Sequence, residues 1–108
     1  MNIIGQSQRD IIINGTGTNW IFRINTGISF NIFNLTLTNG TRDNGGAIYI
    51  YNSGIVTATN ITFTNNKATS SGGAIYNYFG ALIVTNSAFD GNTAINGVVG
   101  VLSSQLIE

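Results

Sequence analysis

The sequence predicts an all-β protein, a right-handed parallel β-helix of about four coils with three short strands in each 26-residue coil. Two internal repeats support this fold class. Residues 34–37 (Asn-Leu-Thr-Leu) are echoed by residues 60–63 and 86–89, 26 positions apart each time. Residues 45–49 (Gly-Gly-Ala-Ile-Tyr) return unchanged as residues 72–76, 27 positions later. Repeats of this length are typical of stacked structural units.

Each repeat contains three runs in which apolar and polar residues alternate, as expected of half-buried strands. The first runs are residues 21–24, 47–51 and 74–78; the second are 29–33, 55–59 and 81–85; the third are 35–37, 61–63 and 87–89. No window has the 3.6-residue period of a helix, and Gly pairs interrupt the repeats. A helical solenoid is therefore excluded, and a small β-sandwich is the competing fold.

The alternation keeps its phase from one repeat to the next. The predicted inward columns are Phe22, Ile48 and Ile75; Ile24 and Ile50; Phe30, Val56 and Leu82; Ile32, Ala58 and Val84; Leu35 and Ile61; and Leu37, Phe63 and Phe89. A shift of one residue would turn every column to the opposite face, so the match between repeats fixes the register. A β-sandwich would not require such columns.

The length of the chain allows one domain with a modest core. The predicted divisions are 1–19, a degenerate first coil; 20–45, 46–72 and 73–97, three coils; and 98–108, the start of a further coil. Within the first coil, residues 2–5 and 10–14 are expected to be strands, and Asn14-Gly15 a turn.

Neither end of the chain has an evident polar cap, and no signal peptide or apolar run of membrane-spanning length is visible. We therefore expect a segment of a longer exported protein. Open coil ends expose strand edges, which favours end-to-end self-association.

The composition excludes several classes of function. Only 7% of the residues are charged and the formal net charge is zero, so no basic surface for nucleic acid or an anionic membrane is expected. The chain has no His and no Cys, which excludes Ser-His and Cys-His nucleophile systems, disulfides and imidazole or thiolate metal sites. We expect no cofactor.

Repeated Asn residues are predicted to form a structural ladder. Asn34, Asn60 and Asn86 precede the third strand of each coil, where stacked amides can bond from coil to coil. The alternative is glycan attachment, because Asn34 and Asn60, like Asn14 and Asn39, begin Asn-x-Thr sequences. Such matches arise by composition in a chain this rich in Asn and Thr, and we favour the structural role.

The Gly pairs are predicted to be tight turns. Gly45 and Gly46, like Gly72 and Gly73, are interpreted as residues with positive φ. A phosphate-binding loop would need a following Lys and the N-terminus of a helix, and neither is present.

The outward positions of the first strand hold a column of aromatic residues. Tyr49 and Tyr76 are expected one coil apart, with Tyr51 and Tyr78 beside them and Arg23 one coil earlier. We call these five residues the tyrosine strip. Stacked aromatic rings can bind sugar rings or an apolar patch of a partner. The favoured interpretation is cross-strand packing, worth about 0.2–1 kcal/mol per pair, but the strip is the best candidate ligand-facing surface.

The acidic residues do not form a catalytic or metal-binding set. They are Asp10, Asp43, Asp90 and Glu108. Glycoside hydrolysis needs two carboxylates about 5–10 Å apart, and calcium needs clustered oxygen ligands, yet no two of these acids align in a column. Arg42 and Lys67 are expected to be solvated cations in turns.

Two motifs resemble those of a known repeat family. Residues 45–48 and 72–75 (Gly-Gly-Ala-Ile) resemble the Gly-Gly-Ala motif of polymorphic outer-membrane protein repeats, and residues 63–66 and 89–92 resemble their companion Phe-x-x-Asn motif. The opening, through residue 40, is similar to the pre-repeat region of adhesin-like β-helix proteins.

The sequence departs from the motifs in two places. Residues 37–40 (Leu-Thr-Asn-Gly) lack both residues of Phe-x-x-Asn, and residues 97–100 (Gly-Val-Val-Gly) lack the Gly pair.

The resemblance implies a non-catalytic structural or adhesion module of a secreted or cell-surface protein of the outer membrane or cell envelope. The expected partners are glycans or surface proteins, with no nucleic acid and no direct membrane insertion. The alternative is a fragment of a β-helical polysaccharide lyase or glycoside hydrolase, because the same fold hosts those enzymes.

Overall fold

The structure is a computed structural model that describes residues 1–5, 11–95, 97 and the backbone of 101–103. This part of the chain contains strands and no helix. The strands are β1 (Asn2–Ile4), β2 (Ile12–Asn14), β3 (Phe22–Ile24), β4 (Ser29–Thr38), β5 (Thr41–Asn44), β6 (Ile48–Ile50), β7 (Ile55–Thr64), β8 (Lys67–Ser71), β9 (Ile75–Asn77), β10 (Ala81–Thr85), β11 (Ala88–Asp90), β12 (Thr93–Ala94) and β13 (Val101–Ser103).

The strands form three parallel sheets that wind into a β-solenoid. Sheet A has the order β1-β4-β7-β10, with β2 also pairing with β4 and β11 with β7. Sheet B has the order β3-β6-β9-β13, and sheet C has the order β5-β8-β12. Three complete coils follow, namely β3–β5, β6–β8 and β9–β12, and β1, β2 and β13 belong to the flanking coils. The predicted parallel β-helix is therefore confirmed, and its right hand stays a prediction.

The register matches the apolar columns predicted from the sequence. Phe22 pairs with Ile48 and Ile48 with Ile75, so one inward column runs through sheet B. In sheet A, Leu37 pairs with Phe63 and Phe63 with Phe89. These residues alternate with outward-facing residues along each strand, and the pairing in parallel register places identical faces on top of one another.

The core lies inside the coils and is almost entirely aliphatic and aromatic. The large residues that are fully or almost fully buried are Phe30, Ile32, Leu35, Leu37, Ile48, Ile50, Val56, Ile61, Phe63, Ile75 and Leu82. Burial falls in the last complete coil, where Val84 is partly buried and Phe89 is exposed although its ring stacks on Phe63. The reason is that β10 and β11 form the outer edge of sheet A among the described strands.

The distribution of strands around the coil differs from the prediction in two respects. The second and third predicted strands are a single ten-residue strand in β4 and in β7. Asn34 and Asn60 lie within these strands with φ of 58° and 55°, and the pairing continues on both sides of them. The left-handed conformation, which Asn tolerates well, therefore bends the strand without ending it.

Sheet C lies where the sequence was interpreted as turns. Arg42 is in β5 and Lys67 begins β8, so the expectation that both are turn cations is wrong. The signal was weak because β8 buries one apolar side chain, Ala68, and the pairing of β5 with β8 shifts between Arg42 and Asn44. Such short, polar strands lack the apolar alternation that identifies a strand in sequence.

The predicted strands near the two ends are partly described. The strand expected at 2–5 is β1, and that expected at 10–14 is β2, with Asp10 outside the described residues. The opening strand expected at 97–102 corresponds to β13, which pairs with β9, and residues 98–100 lie outside the described part. Glu108 lies outside it as well. Within the described ranges, no helix is long and apolar enough to cross a membrane.

Candidate binding surface

The tyrosine strip lies on the outer face of sheet B. Arg23 pairs with Tyr49, and Tyr49 pairs with Tyr76, at the central positions of β3, β6 and β9. The flanking residues Ile48 and Ile50 are fully buried, whereas Tyr49 is half-buried on the opposite face. Alternation along these three-residue strands thus determines that the Tyr and Arg side chains point outward.

The four tyrosines form two stacked pairs. The ring centroids of Tyr49 and Tyr76 are 5.4 Å apart with an interplanar angle of 24°. Those of Tyr51 and Tyr78 are 5.9 Å apart with an angle of 15°. Because the rings face one another from coil to coil, their edges and hydroxyls are the parts that face solvent. The strip is therefore poorly suited to stack the face of a sugar ring, and better suited to donate hydrogen bonds.

Trp20 closes one side of the strip. Its ring meets Tyr49 edge-on at 5.6 Å, and its Nε1 donates a 2.8 Å hydrogen bond to the carbonyl oxygen of Asn44. The Arg42 guanidinium lies 4.0 Å from the Trp20 ring centroid. The Arg23 guanidinium lies 5.9 Å from the same centroid, so two cations flank one indole.

Two further contacts fix the more exposed pair. The Arg23 guanidinium lies 5.4 Å from the Tyr51 ring centroid. Phe79 meets Tyr78 edge-on at 4.9 Å with an interplanar angle of 85°. Rings and a cation thus surround both tyrosines, which holds their side chains in place without burying them.

The environment of Tyr49 keeps its hydroxyl protonated. Burial raises the pKa of the Tyr49 phenol above its ordinary value of 10.0, and the neighbouring Tyr76 raises it further, while the charge of Arg23 opposes the shift. At neutral pH this phenol is uncharged and can donate a hydrogen bond.

Three residues of this surface were not assigned to it from the sequence. Trp20, Arg42 and Phe79 have no equivalent at the matching positions of the other coils, so the repeat did not reveal them. Trp20 had the clearest sequence signal of the three, because it is the single Trp of the chain and lies two residues before β3. Its position in the repeat is that of Gly46, one coil later.

The predicted Asn ladder occupies one corner of sheet A. Asn60 donates from Nδ2 to Oδ1 of Asn34 over 3.0 Å, and both side chains are partly buried. Asn86 has the same left-handed conformation, with φ of 49°, and is exposed. Next to Asn86, Ser87 Oγ accepts a hydrogen bond from the backbone N–H of Ile61 in the preceding coil.

A second Asn stack lies inside the solenoid, between sheets A and C. Asn66 Oδ1 accepts from the Gly40 N–H at 2.9 Å, and Asn66 Nδ2 donates to the Leu37 carbonyl oxygen at 3.1 Å. Asn92 Oδ1 accepts from both the backbone N–H and Nδ2 of Asn66, each over 3.0 Å, and Asn92 Nδ2 donates to the Phe63 carbonyl oxygen at 2.9 Å. These are the Asn residues of Phe-x-x-Asn, whose bonding the sequence did not reveal.

The two glycines of each pair have different roles. Gly45 and Gly72 have φ of 73° and 70°, as predicted. Gly46 and Gly73 are not among the residues with positive φ, so that prediction is wrong for them. Gly46 is buried, and a Cβ there would overlap the carbonyl oxygen of Gly73 and lie 2.6 Å from the Lys67 nitrogen. Close packing between coils, rather than φ, requires the second glycine.

The described acidic residues lie apart. Asp43 is on β5 in sheet C, where its Oδ1 contacts Thr69 Oγ1 at 3.2 Å, and Asp90 ends β11 in sheet A. No group of three or more His, Cys, Asp and Glu residues that could hold a metal ion occurs among the described residues. The same part of the chain has no pocket.

The fold and surface define a parallel β-solenoid with an exposed aromatic face. Residues 60–78 of this chain match the family model for the Chlamydia polymorphic membrane protein (Chlamydia_PMP) repeat. The matched segment includes Asn66 and the Gly72-Gly73-Ala74-Ile75 turn, and it confirms the resemblance inferred from the sequence motifs. No curated protein and no solved structure matches the chain.

Proposed function

We propose that the chain is a non-catalytic β-helical module of a surface-displayed, adhesin-like protein, and that the tyrosine strip is its contact surface. The observation that carries the proposal is the match of residues 60–78 to a polymorphic membrane protein repeat. The matched segment contributes Tyr76 and Tyr78 to the strip, so the repeat and the surface overlap.

The chemistry of the strip favours a hydrogen-bonding partner. The ring faces are occupied by one another and by Arg23, whereas the hydroxyls of Tyr51 and Tyr78 belong to rings that are 38% and 39% exposed. Phenol hydroxyls spaced by one coil suit a partner with regularly spaced acceptors, such as a polysaccharide chain or an extended segment of a surface protein.

A glycan and polysaccharide binding screen tests the proposal, with release of reducing ends read from the same wells. We expect binding without release. The matched pair of variants is Tyr51→Phe with Tyr78→Phe, which removes two hydroxyls and keeps both rings, and Thr57→Ala with Thr62→Ala, which alters the outer face of sheet A. Binding should be lost in the first variant and retained in the second.

Three results would contradict the proposal or part of it. Release of reducing ends would favour the alternative, a fragment of a polysaccharide lyase or glycoside hydrolase. Equal loss of binding in both variants would place the contact surface elsewhere. If no glycan binds, the same variants are displayed on cells and their adhesion to a protein-coated surface is compared. The Tyr variant should lose adhesion and the Thr variant should keep it, and a lack of any adhesion by the parent would overturn the adhesive role.

A further inference from the structure

All four tyrosines of the chain lie on the tyrosine strip, in two stacked pairs. The single Trp of the chain contacts one pair, and the chain has no Cys. The side chains that one-electron oxidants attack most readily are therefore gathered on one face of the solenoid, and each Tyr pair connects two successive coils.

The parallel register brings the Tyr51 and Tyr78 rings together. Ile50 pairs with Asn77, and the Tyr78 N–H donates to the Ile50 carbonyl oxygen at 2.8 Å, so the ladder continues to the Tyr51 and Tyr78 positions. The two ring centroids lie 5.9 Å apart with an interplanar angle of 15°, so the fold holds the two phenols as direct neighbours. Two radicals held in this way react as an intramolecular pair, without the entropic cost of an encounter.

The Tyr51–Tyr78 pair is more accessible than the Tyr49–Tyr76 pair. Tyr51 and Tyr78 are 38% and 39% exposed, whereas Tyr49 and Tyr76 are half-buried and Trp20 packs against Tyr49. Accessibility matters because each phenol must lose an electron to the oxidant and a proton to water. The outer pair meets both requirements.

We propose that Tyr51 and Tyr78 are an oxidative modification site at which a one-electron oxidant joins the two rings as dityrosine. Each phenol loses one electron and its hydroxyl proton, and the two neutral phenoxyl radicals couple through a carbon–carbon bond ortho to the hydroxyls. The two ortho hydrogens then leave those carbons as protons and both hydroxyls are restored by protonation. The net change is the loss of two electrons to the oxidant and two protons to water.

The bond fastens two successive coils of a chain that has no disulfide. The bond closes a loop of one coil in the unfolded state and so lowers the conformational entropy of that state. In the folded state it joins two residues that are already neighbours, so the modified protein should unfold at a higher temperature. The proposal does not depend on the adhesive role.

Photo-oxidation of the dilute, folded chain with tris(bipyridyl)ruthenium(II) and persulfate tests the proposal. We expect dityrosine fluorescence, an intact mass lower by two hydrogens, and a monomer band. Trypsin cuts after Arg42 and Lys67, so the peptide 43–67 should be recovered joined to the peptide that begins at residue 68. The melting temperature of the modified protein should rise.

Two conservative variants identify the pair. Tyr51→Phe with Tyr78→Phe should lose most of the dityrosine, and Tyr49→Phe with Tyr76→Phe should retain most of it. Both variants keep every ring, so neither should disturb the packing of the strip. Equal yields in the two variants, cross-links found only between chains, or an equal intramolecular yield from the chain unfolded in urea would each overturn the proposal.

Discussion

Two stacks of asparagine run along the same solenoid and contribute to its structure in different ways. In the outer stack Asn60 donates to Asn34, and in the inner stack Asn66 donates to Asn92, each over 3.0 Å and each across 26 residues. The outer side chains are partly buried, whereas Asn66 is 0% and Asn92 7% exposed. The residue type, the spacing in sequence and the hydrogen bond between side-chain amides are thus the same in both stacks. Only the environment of the side chains differs.

The difference lies in what the amides bind besides each other. Asn66 also bonds the Gly40 N–H and the Leu37 carbonyl, two backbone groups at the corner between sheets A and C. In the outer stack the backbone remains paired in β4 and β7, and Asn34 and Asn60 supply the left-handed conformation of the bend. The inner stack therefore contributes hydrogen bonds to backbone groups of the corner, and the outer stack contributes mainly a conformation.

Replacement of the inner amide should have the largest effect. Asn66→Ala removes the side-chain acceptor of the buried Gly40 N–H and the donor to the Leu37 carbonyl oxygen, and we expect a loss of about 3 kcal/mol in the free energy of unfolding. Urea denaturation followed by circular dichroism measures the loss. A cost similar to that of Asn60→Ala would show that burial does not distinguish the two stacks.

Glycine substitutions sharpen the comparison at the same inner corner. Gly46→Ala places a methyl group against the Gly73 carbonyl and the Lys67 nitrogen, and overpacking of this kind costs about 2–3 kcal/mol. The control is Gly27→Ala, where φ is 77° and nothing lies within 4 Å of the added methyl group. It should cost about 1 kcal/mol, the cost of the left-handed conformation alone. Equal midpoints in thermal unfolding would contradict a role of close packing.

The outer stack can be divided into its two contributions. Asn60→Ala loses the side-chain hydrogen bond to Asn34 and places Ala at φ of 55°. We expect the free energy of unfolding to fall by about 1–2 kcal/mol. Asn60→Gly loses the same bond but accepts the conformation, so it should cost less than Asn60→Ala. The unfolding free energies of the two variants test this expectation. A Gly variant as unstable as the Ala variant would show that the side-chain hydrogen bond, and not the conformation, is the main contribution of Asn60.

The sequence predicted the parts of this fold that depend on alternation. The columns of sheets A and B, including Leu37, Phe63 and Phe89, were visible because period-two apolar residues recur at a constant spacing. Sheet C was missed because its strands are short and polar.

The candidate surface was predictable to a similar extent. Alternation placed the tyrosines outward, but nothing in the repeat placed Trp20 and Arg42 beside them. The bonding of Asn66 and Asn92 could not be predicted either, because an inward-facing Asn at a corner looks like any turn residue until its backbone partners are known.

The smallest expected effect is a pH dependence of stability that arises from Tyr49 in the tyrosine strip. Like the Asn residues, this half-buried side chain stacks on a residue of the same type, Tyr76, one coil later. Burial and Tyr76 raise the pKa of Tyr49 above 10.0, so the folded state holds this proton more tightly than the unfolded state does. The resulting stability is fully present below pH 10.0 and is lost as the pH rises through the folded-state pKa.

Tyr49→Phe should remove this loss while keeping the ring stacked on Tyr76. Melting temperatures of the parent and the variant are measured from neutral pH to above 10.0, and the parent should fall more steeply at the alkaline end. The neutral values serve as the control for any difference in packing. Parallel curves would show that the desolvation of Tyr49 is too weak to couple its titration to folding, and that this half-buried hydroxyl, unlike the fully buried Asn66 amide, adds nothing to stability.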